Sequence, residues 1–460
     1  MSSLFSSLSI ALSALSVSQQ EMAITGNNVA NANTPGYSRE VPVVTAGDPI
    51  VENSLSFGTG VVLQRIASLR DPILEIQLNQ ETQQQSKFDT SLSQLQQIQT
   101  QFAGSSSGIG ADISNFFNSL QQLSPDPSNL ALRQSVLTAA GKLATDFNTT
   151  AQNLQTRRSN LDLNVVQSVS QVNTLTAQIA NVGRQIANVQ NTNGNTGTLV
   201  DTQTNLIRQL SGLIDVSVIP TDQGITLTTS NGTTLVSGSQ SFALTSQLGS
   251  DGVQHILSGS QDITASLTGG SLAGLIQIRD QEIPNLGSSL DQLAAGLATA
   301  LNTANKTGFD LNGNAGGNLF VPPPAGGVGA AAALTVNISD PALLAASSDG
   351  TIGSNGNLAV LSAVHDQAVA NGQTPLDFYS NLVSQVGNTT SNTSADAAAS
   401  NLILQQLQDQ RGSISGVSLD EEAANLIRYQ TAYQAAARVV SAVDALLSDA
   451  VNLGLGGTLQ

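Results

Sequence analysis

Alternating steps of three and four residues between apolar side chains run through both ends and the centre of this 460-residue chain. Only a helix that presents one narrow row to a partner produces that spacing. At the N-terminus the row is Phe5, Leu8, Leu12, Leu15, Gln19, Met22, Gly26 and Val29, which predicts a helix over about residues 3–31. At the C-terminus it is Leu419, Glu422, Leu426, Tyr429, Tyr433, Ala436, Val440, Val443, Leu447 and Ala450. Ser418 and Glu421 make a capping box at the start of that second helix, and Gly454 offers a stop. A rod of this kind, roughly 50 Å long at 1.5 Å per residue, exceeds what one small domain covers. Its row packs within the chain as a helical hairpin, or against other subunits on assembly.

The central stretch is longer. From Ser128 to about Asn191 the row reads Phe147, Ala151, Leu154, Arg158, Leu161, Val165, Ser168, Val172, Leu175, Ile179, Val182, Ile186 and Val189. Phe88, Leu92, Leu95 and Phe102, before a Gly/Ser break at 104–110, suggest an antiparallel partner, and Leu286, Leu290, Leu293, Leu297 and Leu301 follow Pro284 as a further helix. From about 211 the period changes. "ITLTTSNGTTLV" is two β-rich runs split by Asn231-Gly232, and Asp251-Gly252 marks a second turn after "FALTSQL". The stretch "VPPPAGGVGAAAA", 321–333, reads as loop.

The expected fold class is therefore mainly α: terminal coiled-coil helices and a long-helix body with an inserted small β module, α+β and multidomain. The expected division places a terminal helical domain at 1–65 and 416–460, and a helical body at 66–210, 271–305 and 340–415. The inserted β module and its loops take 211–270 with 306–339.

Charge and composition exclude several function classes. The net charge is −17 with only three lysines, Lys87, Lys142 and Lys306, so the average surface repels nucleic acid. Residues 211–410 hold 14 acidic side chains against Arg279 and Lys306 alone, which suits a solvent-facing middle and protein-contacting ends. Without cysteine there is no disulfide and no thiolate metal site. No run of about 18 apolar residues predicts a membrane span. The first twenty residues lack the basic start of a cleaved signal.

Catalytic motifs are weak. "GSSSG" at 104–108 matches G-x-S-x-G with Ser106 as nucleophile, but no strand precedes it and no histidine pairs with it in the sequence. "DLNGNAGG" from Asp310 imitates a calcium loop, yet Ala315 and Val321 stand where glycine and glutamate are needed. His255 and His365 lie far apart in the chain. Expected catalytic residues, metals and cofactors are accordingly none.

The stretch "NNVANANTPGYSR" from Asn27 resembles the signature that ends the first helix in the bacterial flagellar rod and hook axial family. "SGVSLDEEAANLIRYQTAYQAAARVVSAVDALL", 415–447, resembles the hook-associated members of that family, as do "GGSLAGLIQIRD" from Gly269 and "GFDLNGNAGGNLF" from Gly308. The resemblance implies a structural, non-enzymatic subunit, exported unfolded through the flagellar type III apparatus without a cleaved signal and polymerised outside the cell at the hook-filament junction. It implies terminal helices lining an inner tube, a homo-oligomeric ring or helical layer, the hook protein on one side and the second hook-filament junction protein on the other. A cytoplasmic export chaperone on the C-terminal helix is implied as well. A hook or distal-rod subunit is the alternative, expected to show strands over 128–191; a secreted hydrolase or adhesin using Ser106 is a remote one.

Asn27, Asn28, Asn31, Asn33, Thr34, Pro35, Gly36 and Tyr37 then form the family signature loop. Asn31 and Asn33 are expected to end the helix in the left-handed conformation, and Pro35-Gly36 to occupy the centre of a type II turn, making the loop a hinge shaped by its backbone. The expected assembly seam is Phe5, Leu8, Leu12, Leu15, Met22 and Val29 with Leu419, Leu426, Tyr429, Tyr433, Ala436, Val440, Val443 and Leu447.

Overall fold

A computed structural model describes residues 2–52, 55–102, 108–192, 194–222 and 224–455. The chain begins with α1 (Ser2–Ala30) and then makes a ribbon of β1 (Glu40–Ala46), β2 (Ile50–Glu52), β3 (Leu55–Phe57) and β4 (Val61–Ser68). Helices α2 (Pro72–Phe102), α3 (Ile109–Leu123), α4 (Leu130–Gln190) and α5 (Gly197–Leu213) follow. The strands are β5 (Ser217–Thr221), β6 (Gly224–Thr228), β7 (Thr234–Ser237), β8 (Gln240–Ser241), β9 (Leu244–Leu248), β10 (Gln254–Ser258) and β11 (Gln261–Asp262). Helices α6 (Gly270–Gln277), α7 (Ile283–Lys306), α8 (Ala330–Ala333), α9 (Gly356–Ala363), α10 (Pro375–Ser415) and α11 (Leu419–Leu455) complete it, with a π-helical step at Ile278–Glu282 between α6 and α7. The architecture is mainly α with small antiparallel sheets, as the periodicity implied.

Helix α4 is the spine. Its 61 residues span about 90 Å. Asn129 caps it by accepting from the amides of Ala131 at 3.0 Å and Leu132 at 3.2 Å, two of the donors a helix start leaves unpaired. Along its row, Phe147, Leu154, Leu161, Val165, Val172, Ile179, Val182 and Ile186 are buried, against α3 near one end and α5 near the other. The strands over 128–191 that a hook or distal-rod subunit would need are not there.

The pairing of α2 differs from expectation. It packs chiefly along α10, α6 and α5, and reaches α4 through Arg157 Nη1, which donates to Gln97 at 2.7 Å. The short α3 fills the place beside α4 that the Phe88–Phe102 row was expected to take. The row identified a buried face but carried no label for its partner, and α10 buries large apolar side chains over its first turns, at Phe378, Tyr379, Leu382 and Val386, with Thr390, Ala397 and Ser400 taking over further along.

Sheets β5-β6-β7-β8 and β11-β10-β9 lie on α4. Gly232, φ +86°, and Gly252, φ +78°, turn the β6–β7 and β9–β10 hairpins at the Asn-Gly and Asp-Gly positions. Asn173 of α4 accepts from the Leu244 amide and donates to its carbonyl, both at 2.8 Å, closing the edge of β9. Arg279, fully buried, bonds Asp162 of α4 at 2.7 Å, Asp280 at 2.7 Å and the Gln254 carbonyl at 2.9 Å, so its charge is compensated on two sides. Gly270 in "GGSLAGLIQIRD" has φ +74°, and a Cβ there would lie 2.3 Å from the Ile214 nitrogen, so the start of α6 requires glycine. Residues 306–339, expected with the β module, pack on α4 and α7: Asn148 donates to the carbonyl of Ala331 at 2.8 Å, and Asn302 brackets Phe320 through its N–H at 2.8 Å and its carbonyl at 3.0 Å.

Candidate functional site

The loop after α1 is a polar joint on which α1, β1, α5, α10 and α11 converge. Asn28 is 1% exposed and uses its whole carboxamide: Oδ1 accepts from the Tyr37 hydroxyl at 2.8 Å and the Glu40 amide at 2.9 Å, while Nδ2 donates to the Glu40 carbonyl at 2.8 Å and Glu422 Oε2 at 3.2 Å. Asn27 Nδ2 donates to the Tyr37 oxygen at 3.3 Å. Burial first, and then the carboxylates of Glu40, Asp201 and Glu422, push the Tyr37 hydroxyl far above its ordinary range, so it stays a hydrogen-bond donor.

Charge closes the joint on two sides. Toward α11, Arg39 Nε bonds the buried Glu422 at 2.7 Å, its Nη1 bonds Glu421 at 2.6 Å, and its amide donates to the Ser415 carbonyl at 2.9 Å. Toward the body, Asp201 of α5 accepts from the Ser38 hydroxyl and from Arg70, both at 2.7 Å, and Glu75 of α2 is held by Arg208 at 2.7 Å and Arg411 at 2.6 Å. Arg411 also donates to the Gly36 carbonyl at 2.9 Å. Removing one member of such a partly buried set leaves an uncompensated charge, at a cost of about 3–5 kcal/mol.

The signature loop departs from the backbone hinge expected of it. Gly36 has φ +81° and the Tyr37 amide donates to the Thr34 carbonyl at 3.2 Å, which is the type II turn. Among the described residues, however, Asn371 is the one non-glycine with positive φ, so neither Asn31 nor Asn33 is left-handed. Asn31 instead donates to the Asn27 carbonyl at 3.0 Å and accepts from the Thr34 hydroxyl at 3.1 Å. Asn27, Asn28 and Asn31 act through their side chains, while Asn33 is exposed. Sequence reading missed Glu40, Arg70, Glu75, Asp201 and Arg411; the one signal for the joint was Glu422, an acid standing in an otherwise apolar row.

From the joint, α1 and α11 run antiparallel, with Asn28 meeting Glu422 at one end and Gln19 Nε2 donating to the Tyr433 hydroxyl at 3.4 Å further along. On α11, Tyr429, Ala436 and Val443 are buried and Leu426, Tyr433, Val440 and Leu447 half-buried; Leu419 is exposed. On α1 the covered face is Leu8, Ala11, Leu15, Val17, Ser18, Met22, Ile24 and Thr25. Phe5, Leu12 and Val29 face solvent at 57%, 50% and 45%. The buried face thus mixes large Val17 and Ile24 with small Ala11, Ser18 and Thr25, and it is offset from the row of Phe5, Leu12 and Val29. Ile427, Val439, Leu446 and Val451 of α11 are likewise exposed.

The remaining motifs show no catalytic arrangement among the described residues. Ser106 lies outside them. Asp310 accepts from the amides of Asn312 and Asn314, each at 2.8 Å, which makes it the anchor of a turn. His255 bridges Asp262 at 2.6 Å and Asp251 at 3.1 Å, and His365 bonds Asp366 at 2.6 Å. No group of three or more metal-ligating side chains and no helix long and apolar enough to cross a membrane occurs among the described residues.

Known proteins align with these same elements. The family model for the helical domain of flagellar hook-associated protein FlgK matches residues 95–320. That for the C-terminal part of flagellar basal body rod FlgEFG proteins matches 410–453, and that for flagella basal body rod protein matches 8–37. Flagellar hook-associated protein 1 of Bacillus subtilis (strain 168) is 30% identical over 506 residues, covering 99% of this chain and 100% of that one. The protein of the same name from Escherichia coli (strain K12) is 26% identical over 539 residues, covering 96% and 98%. In fold, the flagellar hook junction protein FlgK from Burkholderia pseudomallei superposes with a TM-score of 0.68 at 18% identity, over 74% of this chain and 100% of that one. With a helical spine, a signature joint and paired terminal helices all matched along the full length, this chain belongs to the flagellar hook-associated protein 1 family.

Proposed function

We propose that this protein is a structural subunit of the bacterial flagellum that forms the junction layer between hook and filament and assembles through α1 and α11. The observation that carries the proposal is the terminal pair itself, two helices joined to each other that still expose Phe5, Leu12 and Val29 on one and Ile427, Val439 and Leu446 on the other. Exposed apolar rows of that length are covered in a working protein. Copies of the same pair packed side by side cover them, giving a ring or helical layer. In this reading the hook protein contacts the layer on one side and the second hook-filament junction protein on the other. A cytoplasmic chaperone shields α11 before export through the flagellar type III apparatus, and the site of action is extracellular.

Leu426→Asp tests the seam. The substitution sets a carboxylate in the half-buried α1–α11 contact and weakens the pairing by roughly 3 kcal/mol. In cells lacking the wild-type protein, the variant is exported to the medium but filaments do not stay attached to hooks. Normal filament attachment with Leu426→Asp would refute assembly through this pair.

A further inference from the structure

The ribbon between α1 and α2 carries apolar side chains that stand exposed among the described residues. Val44, Ile50, Val51, Phe57 and Val62 are exposed at 41%, 61%, 70%, 47% and 52%. Ile50 stands opposite Phe57 in the β2–β3 pairing, so those two share a face, and Val51 points to the other one. Exposed apolar side chains therefore stand on both faces of the tip, whose strands also hold Ser56 and Glu52, and each strand pairs on one edge only among the described residues. A two-stranded ribbon in that condition is not stable by itself in water.

Its attachment shows where it belongs. Glu40, the first residue of β1, is tied to Asn28, while the other end of the β1–β4 pair reaches Ile10 and Ser13 of α1: the Val61 amide donates to Ser13 Oγ at 3.4 Å, and a Cβ on Gly60 would lie 3.3 Å from the Ile10 Cα. The pair thus follows α1 for about 27 Å, and β2–β3 continues past the Gly47–Gly60 contact as an arm continuous with the terminal helix pair.

We infer that this arm docks on α1 of a second copy of the chain, its tip residues Ile50, Val51 and Phe57 against the exposed row that includes Phe5 and Leu12. The inference rests on the proposed assembly through α1 and α11. Charge selects the occupant. The chain carries −17, so two copies repel over most of their surfaces, but residues 2–20 contain no charged side chain and Glu21 is the only one in α1. The arm carries Asp48 and Glu52 beside its apolar tip residues, so an uncharged stretch of helix is the surface of another acidic copy that it meets without like-charge cost.

The absence of cysteine makes the test clean. Variants carrying Val51→Cys with Leu12→Cys, and Val51→Cys with Phe5→Cys, are incorporated into junction layers on isolated hook-basal bodies and treated with a short bismaleimide. At least one pair yields dimers and a ladder of this chain alone, and the single-cysteine variants do not. Assembled layers without self cross-links, or cross-links from Val51→Cys to a different protein, overturn the inference. Val51→Asp separates its failure from that of the assembly reading. The expected effect is a fall of about tenfold or more in hooks retaining a filament, with the melting of the purified chain unchanged because the tip lies outside the core. If Val51→Asp behaves as wild type while Leu426→Asp fails, the docking arm is wrong and assembly through α1–α11 stands. If both behave as wild type, both are wrong.

Discussion

Asn28 shows how much of the joint depends on one side chain. Its carboxamide is fully used, by a hydroxyl, an amide, a carbonyl and a carboxylate from three parts of the chain. Alanine leaves the Glu40 amide and carbonyl and the Tyr37 hydroxyl without their buried partner, at about 1–3 kcal/mol for each group that water cannot reach. Asn28→Ala should therefore lower the free energy of opening at the joint by roughly 3 kcal/mol, read as faster hydrogen exchange at the Glu40 amide. Protection equal to wild type would mean the loop is held by its turn alone. That turn was legible: Pro35-Gly36 states its geometry in the residues themselves, and Gly36 adopts it. The asparagines were not, because their partners are set by the fold, and Glu422 lies 394 residues further along the chain. A short motif gives the positions that matter and omits the groups they bind.

At the scale of elements, what could be read depended on whether a row was written in large apolar residues. The α11 row was, and the structure covers it from Leu426 to Leu447. The α1 face is written partly in Ala, Ser and Thr, and its buried Val17 and Ile24 stand off the three-and-four alternation, so the sequence pointed to the outward Phe5 and Leu12 as readily as to the inward side. Between α3 and α4 a different device operates. Lys142 Nζ lies 3.0 Å from both Asp112 and Asp146, and Asp112 is almost fully buried. Burial, followed by its hydrogen bond with Asp146, pushes the Asp112 carboxyl up to about 6 against the pull of Lys142. Burial also raises Asp146, but accepting from Asp112 and Lys142 outweighs it and holds that carboxylate below its usual value. The folded state thus binds a proton at Asp112 that the unfolded chain, near 3.9, has released. Its contribution to stability is complete below about pH 4 and is lost as pH rises through about 6. Asp112→Asn keeps a donor toward Asp146 and cannot titrate. Relative to wild type it should gain stability between about pH 4.5 and about pH 7 in urea unfolding followed at α3. A wild-type-to-variant difference that stays constant over that range would show that no proton is shared.

For the molecule as a whole, the division of labour lies in where the core stops. The contiguous buried apolar cluster runs from Leu95 to Val386 and draws on α2, α3, α4, α5, β6, β7, β9, β10, α6, α7, α8, α9 and α10, with no residue of α1, β1–β4 or α11 in it. The terminal pair is joined to this body by polar contacts at the joint, above all Ser38 with Asp201 of α5 and the Gly36 carbonyl with Arg411 of α10. The expected division already put 340–415 in the body; periodicity could not say that α10 lies there along α2. Cores that share no side chains unfold independently, and polar links between them shift one transition by little. A variant lacking residues 1–35 and 418–460 should therefore stay soluble and keep the main thermal transition of the full chain within about 3 °C, while the 36–68 segment, deprived of Asn28 and Glu422, exchanges its amides rapidly. The same variant should fail to join hooks, since both exposed rows are gone. A large drop in the main transition would show that the terminal pair braces the body in the free subunit. Retained attachment to hooks would show that the body carries the contacts assigned here to the ends.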